Sequence, residues 1–258
     1  MSTGDRVPMS GGQELDRIRI NHVSKHFTLR HTRAVKEVVV KGLKGRRRGL
    51  SEQFTALRDI SLTVGEGEAI ALLGRNGSGK STLLKLISGV MGADHGRIEV
   101  RGNIAGLIDV GAGFHPDLTG RENIFLNGAI LGMTEAKIRQ QFDRIVTFSE
   151  IEAFIDNEVK FYSSGMFLRL AFAVAVHTDP DIFLVDEILA VGDEPFQRKC
   201  LARIRELRDE GKCLVIVSHD LDMVSRFTER GIVLDRGEVV HDGPIDEAVA
   251  LLRRRAEG

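Results

Sequence analysis

The chain has 258 residues, 42% of them apolar, and a formal net charge of −1. That length and apolar share support one large domain, or a core domain carrying a small insertion. No apolar run approaches the roughly 20 residues that span a bilayer, and a near-neutral charge gives no global attraction to nucleic acid.

In chain order, residues 1–15 are polar, carry Asp5, Gln13 and Glu14, and read as a disordered leader rather than a secretory signal. From residue 16 to 258 the chain reads as a single domain. Ile18, Ile20 and Val23 alternate with polar neighbours over Arg17–Val23, which predicts a half-buried strand. A basic insertion follows at about 29–53; between Leu29 and Leu50 lie Arg30, Arg33, Lys36, Lys41, Lys44, Arg46, Arg47 and Arg48, opposed only by Glu37. Two readings fit it and the terminal Arg253–Arg255: a solvated loop with a frayed tail, or a surface facing anionic lipid or substrate. Ala56–Val64 predicts an edge strand, Gly65–Gly67 a turn, and the apolar run Ala69–Leu73 a strand buried on both faces. A helix is expected over Ser81–Ser88. Residues of about 112–180 make an inserted helical subdomain, helix-rich over Gly120–Asp156 and ending on a helix at Phe167–His177. Buried strands at Ile182–Val185 and Leu214–Val217 flank a helix over Pro195–Glu210, and Ile232–Leu234 and Glu238–His241 flank a hairpin turn. Buried strands alternating with helices predict an α/β fold with a mostly parallel sheet and an antiparallel β edge. Cys200 and Cys213 have no metal-ligand spacing and no disulfide framework, which fits a reducing, cytoplasmic setting.

Directly after the Ala69–Leu73 run comes Gly74-Arg75-Asn76-Gly77-Ser78-Gly79-Lys80-Ser81, matching G-x-x-x-x-G-K-[ST] between a strand and a helix. Glycines let successive N–H groups curl inward onto phosphate oxygens, and the new helix adds its positive end. Lys80 then serves the β- and γ-phosphates, the Ser81 hydroxyl Mg²⁺, and Thr82 the α-phosphate. A chance Gly-rich turn would match the string but not its flanks, so nucleotide binding is the better reading.

Asp186 and Glu187 close the Ile182–Val185 strand. Acids at that place also suit a helix N-cap. In a phosphate-loop protein, though, a carboxylate at this strand end faces the metal, so Asp186 holds Mg²⁺ and Glu187 orients and deprotonates the attacking water. His219 follows the next buried strand on the same rim, within reach of a γ-phosphate; the bland alternative is a structural histidine.

With these elements in place, the chain resembles the nucleotide-binding subunits of ABC transporters from about Ile18 to Ile245. The telling segment is Tyr162-Ser163-Ser164-Gly165-Met166 ahead of Phe167–Ala171, where that family usually carries LSGGQ. Either serine can cap the helix and leave outward N–H groups as a second anion site. Ala190-Val191-Gly192-Asp193 resembles the family's D-loop. Phe27 stands where an aromatic ring stacks on adenine, and equally fits a core or surface phenylalanine. YSSGM, with Gly111–Pro116 leading into Leu118–Asn123, is similar to exporters of bacterial surface polysaccharide. The family usually places a glutamine in the preceding loop; none occurs between Lys80 and Gln140, and Asp109 is the nearest polar substitute.

The resemblance implies an ABC ATPase fold on a P-loop NTPase core, with ATP and Mg²⁺ as ligands and Glu187, His219 and Lys80 as the catalytic set. It implies a homodimer in which Ser163, Ser164, Gly165 and Met166 of one subunit complete the ATP site of the other. A polytopic permease is the implied partner at the cytoplasmic face of the inner membrane, the Gly111–Asn123 loop the hinge, a lipid-linked polysaccharide the cargo, and no nucleic acid is involved. The alternatives are another transporter type (a drug exporter or importer) and a soluble, non-transport ABC ATPase. The missing glutamine and the YSSGM wording argue against the first. A single ATPase core without long coiled coils argues against the second.

Overall fold

The computed structural model describes residues 16–29, 52–106, 111, 113–186 and 193–257. The leader, residues 30–51 of the basic insertion, Asp109, Ala112, Glu187 and Ala190–Gly192 lie outside the described residues.

The antiparallel layer forms first along the chain. β1 (Asp16–Leu29) and β2 (Glu52–Gly65) pair from Asp16↔Gly65 to Leu29↔Glu52, and β4 (His95–Val100) pairs with the other edge of β1. Its inner face joins the alternating Ile18, Ile20 and Val23 read from the sequence to Ile60 and Val64 of β2. Both long strands run past their predicted spans. Pairs such as His26↔Thr55 and Phe27↔Phe54 extend the ladder through backbone hydrogen bonds, which apolar periodicity does not register.

The second sheet has the order β5-β6-β7-β3-β8-β9. β3 (Ala69–Leu73), β5 (Ile104–Gly106), β6 (Ile182–Val185), β7 (Cys213–Ile216) and β8 (Arg230–Asp235) are mutually parallel, and β9 (Glu238–Pro244) returns antiparallel to β8. β6 and β7 are buried at every position, as continuous apolar strands require. On one face, α1 (Lys80–Ile87) and the antiparallel layer cover Ile70, Leu72, Leu184 and Val215. On the other, Ala71, Leu73, Phe183 and Leu214 meet α4 (Ser164–Val176), α5 (Glu194–Asp209), α6 (Leu221–Phe227) and α7 (Ile245–Glu257). Phe172, Phe183, Phe196 and Phe227 are each at most 2% exposed there, and burying such a side chain contributes roughly 1.5–3 kcal/mol.

A separate apolar cluster holds α2 (Gly120–Ile130) and α3 (Glu135–Ser149) against α4 through Ile124, Ile138, Ile145, Leu170 and Val174. Thr119 opens α2 with a capping box: its hydroxyl accepts from the Glu122 N–H, and Glu122 accepts from the Thr119 N–H.

The frayed-tail reading of Arg253–Arg255 is corrected. These residues ride on α7, whose Ile245, Ala248 and Val249 are buried in the core. Arg253 pairs with Asp222 at 3.0 Å and Arg255 with Asp235 at 2.6 Å. Among the described residues no helix is long and apolar enough to cross a membrane.

Candidate nucleotide-binding site

The loop Gly74–Gly79 leaves the buried end of β3 and closes on itself before α1 begins. Gly74 sits at φ +145° with Leu234 behind it; a Cβ there would lie 2.2 Å from the Leu234 carbonyl oxygen. Gly79, at φ +109°, would bring a Cβ to 2.8 Å from the Ala56 carbonyl oxygen. Both positions therefore require glycine. The Ser78 N–H donates to the Arg75 carbonyl at 3.1 Å, and the Gly237 N–H, from the β8–β9 turn, donates to the Ser78 carbonyl at 3.0 Å. Gly237 accepts in turn from the Arg58 N–H at 2.7 Å, so β2 and the hairpin both brace the loop.

Lys80 is only 5% exposed, and its Nζ donates to the Gly74 carbonyl at 2.7 Å and the Arg75 carbonyl at 3.2 Å. A cation held at that depth by carbonyls is positioned for an anion in the loop mouth. No side chain caps the N-terminus of α1, and its first turn carries no acid. Its leading N–H groups, with their helix dipole, therefore suit a phosphate. Arg75, Asn76, Gly77 and Ser81 are exposed, and Thr82 is half-buried.

Parallel register brings the other predicted residues to the same rim. Ala71 and Val185 both stand level with Ile216 of β7. Asp186 therefore follows β6 beside Val217, whose N–H donates to the Val185 carbonyl at 2.7 Å. His219 emerges just beyond, exposed, with Asp220 capping α6 through the Met223 N–H at 2.9 Å. The C-terminal ends of β3, β6 and β7 thus carry Gly74, Asp186 and His219, the edge where open α/β sheets bind ligands.

This donor set fits Mg²⁺. That ion takes one or two carboxylates together with substrate phosphates and water rather than a cage of protein ligands, and the Ser81 hydroxyl and the Asp186 carboxylate supply such a partial set. Among the described residues no cluster of three or more His, Cys, Asp or Glu gathers as a metal cage.

The signature-like turn is built by the helical lobe. Ser163, not Ser164, is the N-cap of α4: its side chain accepts from the Met166 N–H at 3.2 Å. Ser163 and Ser164 are exposed, Gly165 and Met166 half-buried, and a Cβ on Gly165 would touch nothing closer than 3.8 Å. The turn therefore presents open backbone. Tyr162 anchors it, donating its hydroxyl to the Phe154 carbonyl at 2.8 Å.

At the end of the D-loop-like segment, Asp193 caps α5 and pairs with Arg169 of α4 at 2.6 Å. Arg169 also pairs with Glu150 at 2.8 Å and stacks on Phe196 at 4.7 Å from the ring centroid. Lys199 joins at 3.0 Å, and its hydrogen bond leads the causes that hold the Glu150 carboxyl below the usual range. Phe27 is half-buried on β1 opposite Phe54, which is 48% exposed. Sequence reasoning missed Phe54, along with the bracing role of Gly237; a β1–β2 register would have exposed the first.

A preset phosphate loop on a parallel sheet, with an acid and a histidine on the same rim and a capped helix on a lateral lobe, defines an ATP-binding cassette. The family model described as ABC transporter matches residues 57–190. The chain belongs to the ABC transporter family. It is 46% identical to the O-antigen export system ATP-binding protein RfbB of Myxococcus xanthus, over 93% of this chain and 56% of the relative. It is 38% identical to the protein of that name from Klebsiella pneumoniae, over 92% of this chain and 97% of the relative. It is 40% identical to the teichoic acids export ATP-binding protein TagH of Lactococcus lactis, over 90% of this chain and 50% of the relative. The chain thus spans about half the length of two of these relatives, those from Myxococcus xanthus and Lactococcus lactis. A dimeric ATP-binding cassette solved with ADP and phosphate superimposes with TM-score 0.70 at 24% identity, covering 88% of this chain and 98% of that one, which establishes the fold.

Proposed function

We propose that this chain hydrolyses ATP to drive export of a lipid-linked bacterial surface polysaccharide, as a homodimer beneath a polytopic permease at the cytoplasmic face of the inner membrane. The observation that carries the reading is the Gly74–Ser81 loop, preset around the buried Lys80 on the rim that Asp186 and His219 share. The names of the O-antigen and teichoic acid relatives support the cargo class. In this reading residues 16–258 form one ABC ATPase domain, with the helical subdomain over about 112–180 meeting the permease.

ATP lies with its phosphates in the loop and its adenine toward Phe27. Lys80 neutralises the β- and γ-phosphates, and Thr82 contacts the α-phosphate. Ser81 and Asp186 hold Mg²⁺, with Asp109 as a further candidate, and the ion supplies charge neutralisation at the phosphate oxygens when bound. Ser163, Ser164, Gly165 and Met166 of the second copy close the γ-phosphate from the other side and exclude water around it. Glu187, one residue past Asp186, takes a proton from the attacking water. The water oxygen bonds to the γ-phosphorus as the bond to the β–γ bridging oxygen breaks, and ADP leaves. His219 and Lys80 stabilise the charge that develops on the transferred group.

Glu187→Gln tests this directly: it should keep ATP affinity, lose at least about 100-fold in turnover, and accumulate an ATP-bound dimer on size exclusion. Wild-type turnover in this variant would remove Glu187 as the base. A tagged Glu187→Gln chain recovered from host membranes with ATP should bring down a polytopic permease; recovery with ribosomes or DNA alone would overturn the transport reading.

A further inference from the structure

A cleft of about 570 Å³ opens between the outer edge of the phosphate loop, the end of β8 and the last turns of α7. That volume lies in the range of small-molecule sites. Its walls carry Arg75 and Ser78 from the loop, Asp235 and Arg236 from the hairpin, and Leu252 and Arg255 from α7. None of Lys80, Ser81, Asp186 or His219 lines it.

We propose that this cleft is a second anion site, beside the nucleotide cradle, that takes a phosphate group. Three guanidiniums face one carboxylate there, and Asp235 is already paired with Arg255 at 2.6 Å. The side chains of Arg75 and Arg236 have no hydrogen-bond or ion-pair partner among the described residues. Ser78, 4% exposed, also lines the cleft, with its hydroxyl buried and without a hydrogen-bond partner among those residues.

The backbone supplies an independent argument. Asp235 pairs with Glu238, so Arg236-Gly237 is a two-residue hairpin turn, with φ +50° and +84°. Such a turn favours Asn-Gly, and arginine is strained at the first position. A long cation is held there although the turn alone would prefer a short polar residue. Guanidinium forks match phosphate oxygens two at a time, and Arg236 with Arg75 offers two forks across one opening.

Two sources could deliver the phosphate. One is inorganic phosphate released in the adjoining cradle, which rests on the ATP reading above. The other is the phosphoryl group of a separate molecule, which does not.

The test uses the full chain and inorganic phosphate as the probe. In a Lys80→Ala background, phosphate should still bind by titration calorimetry and protect the Arg236 and Arg255 peptides from phenylglyoxal. Adding Arg236→Asn should weaken binding about tenfold. Because Asn suits the left-handed turn, the melting temperature should stay level or rise; Arg255→Gln gives a second variant outside the turn. Phosphate binding abolished by Lys80→Ala alone, or untouched by both arginine variants, would overturn the site. Protection of Arg236 during ATP turnover without added phosphate would identify the product as the source. Protection only on adding glycerol 3-phosphate would identify a separate phosphomonoester. A chain that binds phosphate here yet hydrolyses no ATP would keep this site and sink the ATPase mechanism.

Discussion

Asn123 offers the sharpest test of how the segment before α2 is held. It is fully buried. Its Oδ1 accepts from the His115 N–H at 2.7 Å, and its Nδ2 shares two protons among the carbonyls of His115, Leu118 and Thr119 at 3.0, 3.1 and 2.9 Å. Those carbonyls are not equally dependent on it. His115 also accepts from the Leu118 N–H, Leu118 from the Val159 N–H, and Thr119 from the Asn123 N–H itself. Asn123→Ala therefore orphans only the His115 N–H, and leaves a small void, for about 2 kcal/mol. Asn123→Asp keeps the acceptor for His115 but turns a carboxylate oxygen onto three carbonyls, at a buried position without a cation partner among the described hydrogen bonds. Its cost should exceed that of alanine by about 2 kcal/mol or more. Urea midpoints at constant m separate the two variants. An aspartate milder than, or equal to, alanine would refute the directional reading of the amide. Assays of the proposed ATPase activity on the alanine variant, alone and with membranes carrying the proposed permease, would then show whether this segment serves coupling rather than hydrolysis.

Arg169→Ala should cost about 1–3 kcal/mol, because one guanidinium, largely buried, serves Glu150 and Asp193 together. Arg169→Lys should recover less than half of that, since a point charge does not reproduce the fork. A double-mutant cycle with Asp193→Asn should show coupling, and none would contradict the assigned pair. Burial pushes the thiols of Cys200 and Cys213 up from 9.0 to about 12. Their folded form therefore holds its protons longer than the unfolded chain, so these groups lower stability progressively as pH rises from about 9 toward 12. Below about pH 8 they contribute almost no pH dependence, and a thiol reagent should label neither cysteine until the chain unfolds; rapid labelling at neutral pH in the folded state would contradict their burial.

β3, β6 and β7 at the centre of the sheet were legible because they are unbroken apolar runs between recognisable turns. The phosphate loop was legible because its glycines and lysine sit between one such run and a helix. β4 offers only Ile98 and Val100 as apolar residues and takes its order from pairing with β1, while β5 is three residues long. Neither carries a period to read. α6 is short, and α7 was masked by its run of arginines although Ile245, Ala248 and Val249 mark an inward face. At the site, residue type indicated Lys80, but not that loop carbonyls would hold its ammonium in place. Two adjacent serines left the α4 cap open; the Met166 N–H chooses Ser163. The contact from Gly237 to Ser78 joins residues far apart in sequence, so no local pattern could announce it.

The two anion-binding surfaces of the proposed mechanism are held by different means, and this bears on how one can move against the other. The phosphate loop is fixed from three sides: by its lysine, by the Gly237 N–H and by the close approach of β2. Its shape belongs to the sheet. The Ser163–Gly165 turn belongs to α4, whose Leu170, Ala173 and Val174 pack with α2 and α3 while Phe172, Ala175 and Val176 pack on the sheet. A single helix is thus shared between two apolar clusters, its capped end on the lobe and its body in the core. Close-packed clusters move as bodies more readily than they deform, so a displacement of the lobe would carry the Ser163 turn while the phosphate loop stays put. Arg169 lies on that same helix and ties it to Asp193, at the end of the D-loop-like segment that follows Glu187. In the proposed mechanism, a push on the lobe from a permease would therefore have a covalent route to the second copy's phosphate and, through Arg169 and Asp193, an ionic route toward the segment proposed to carry the base.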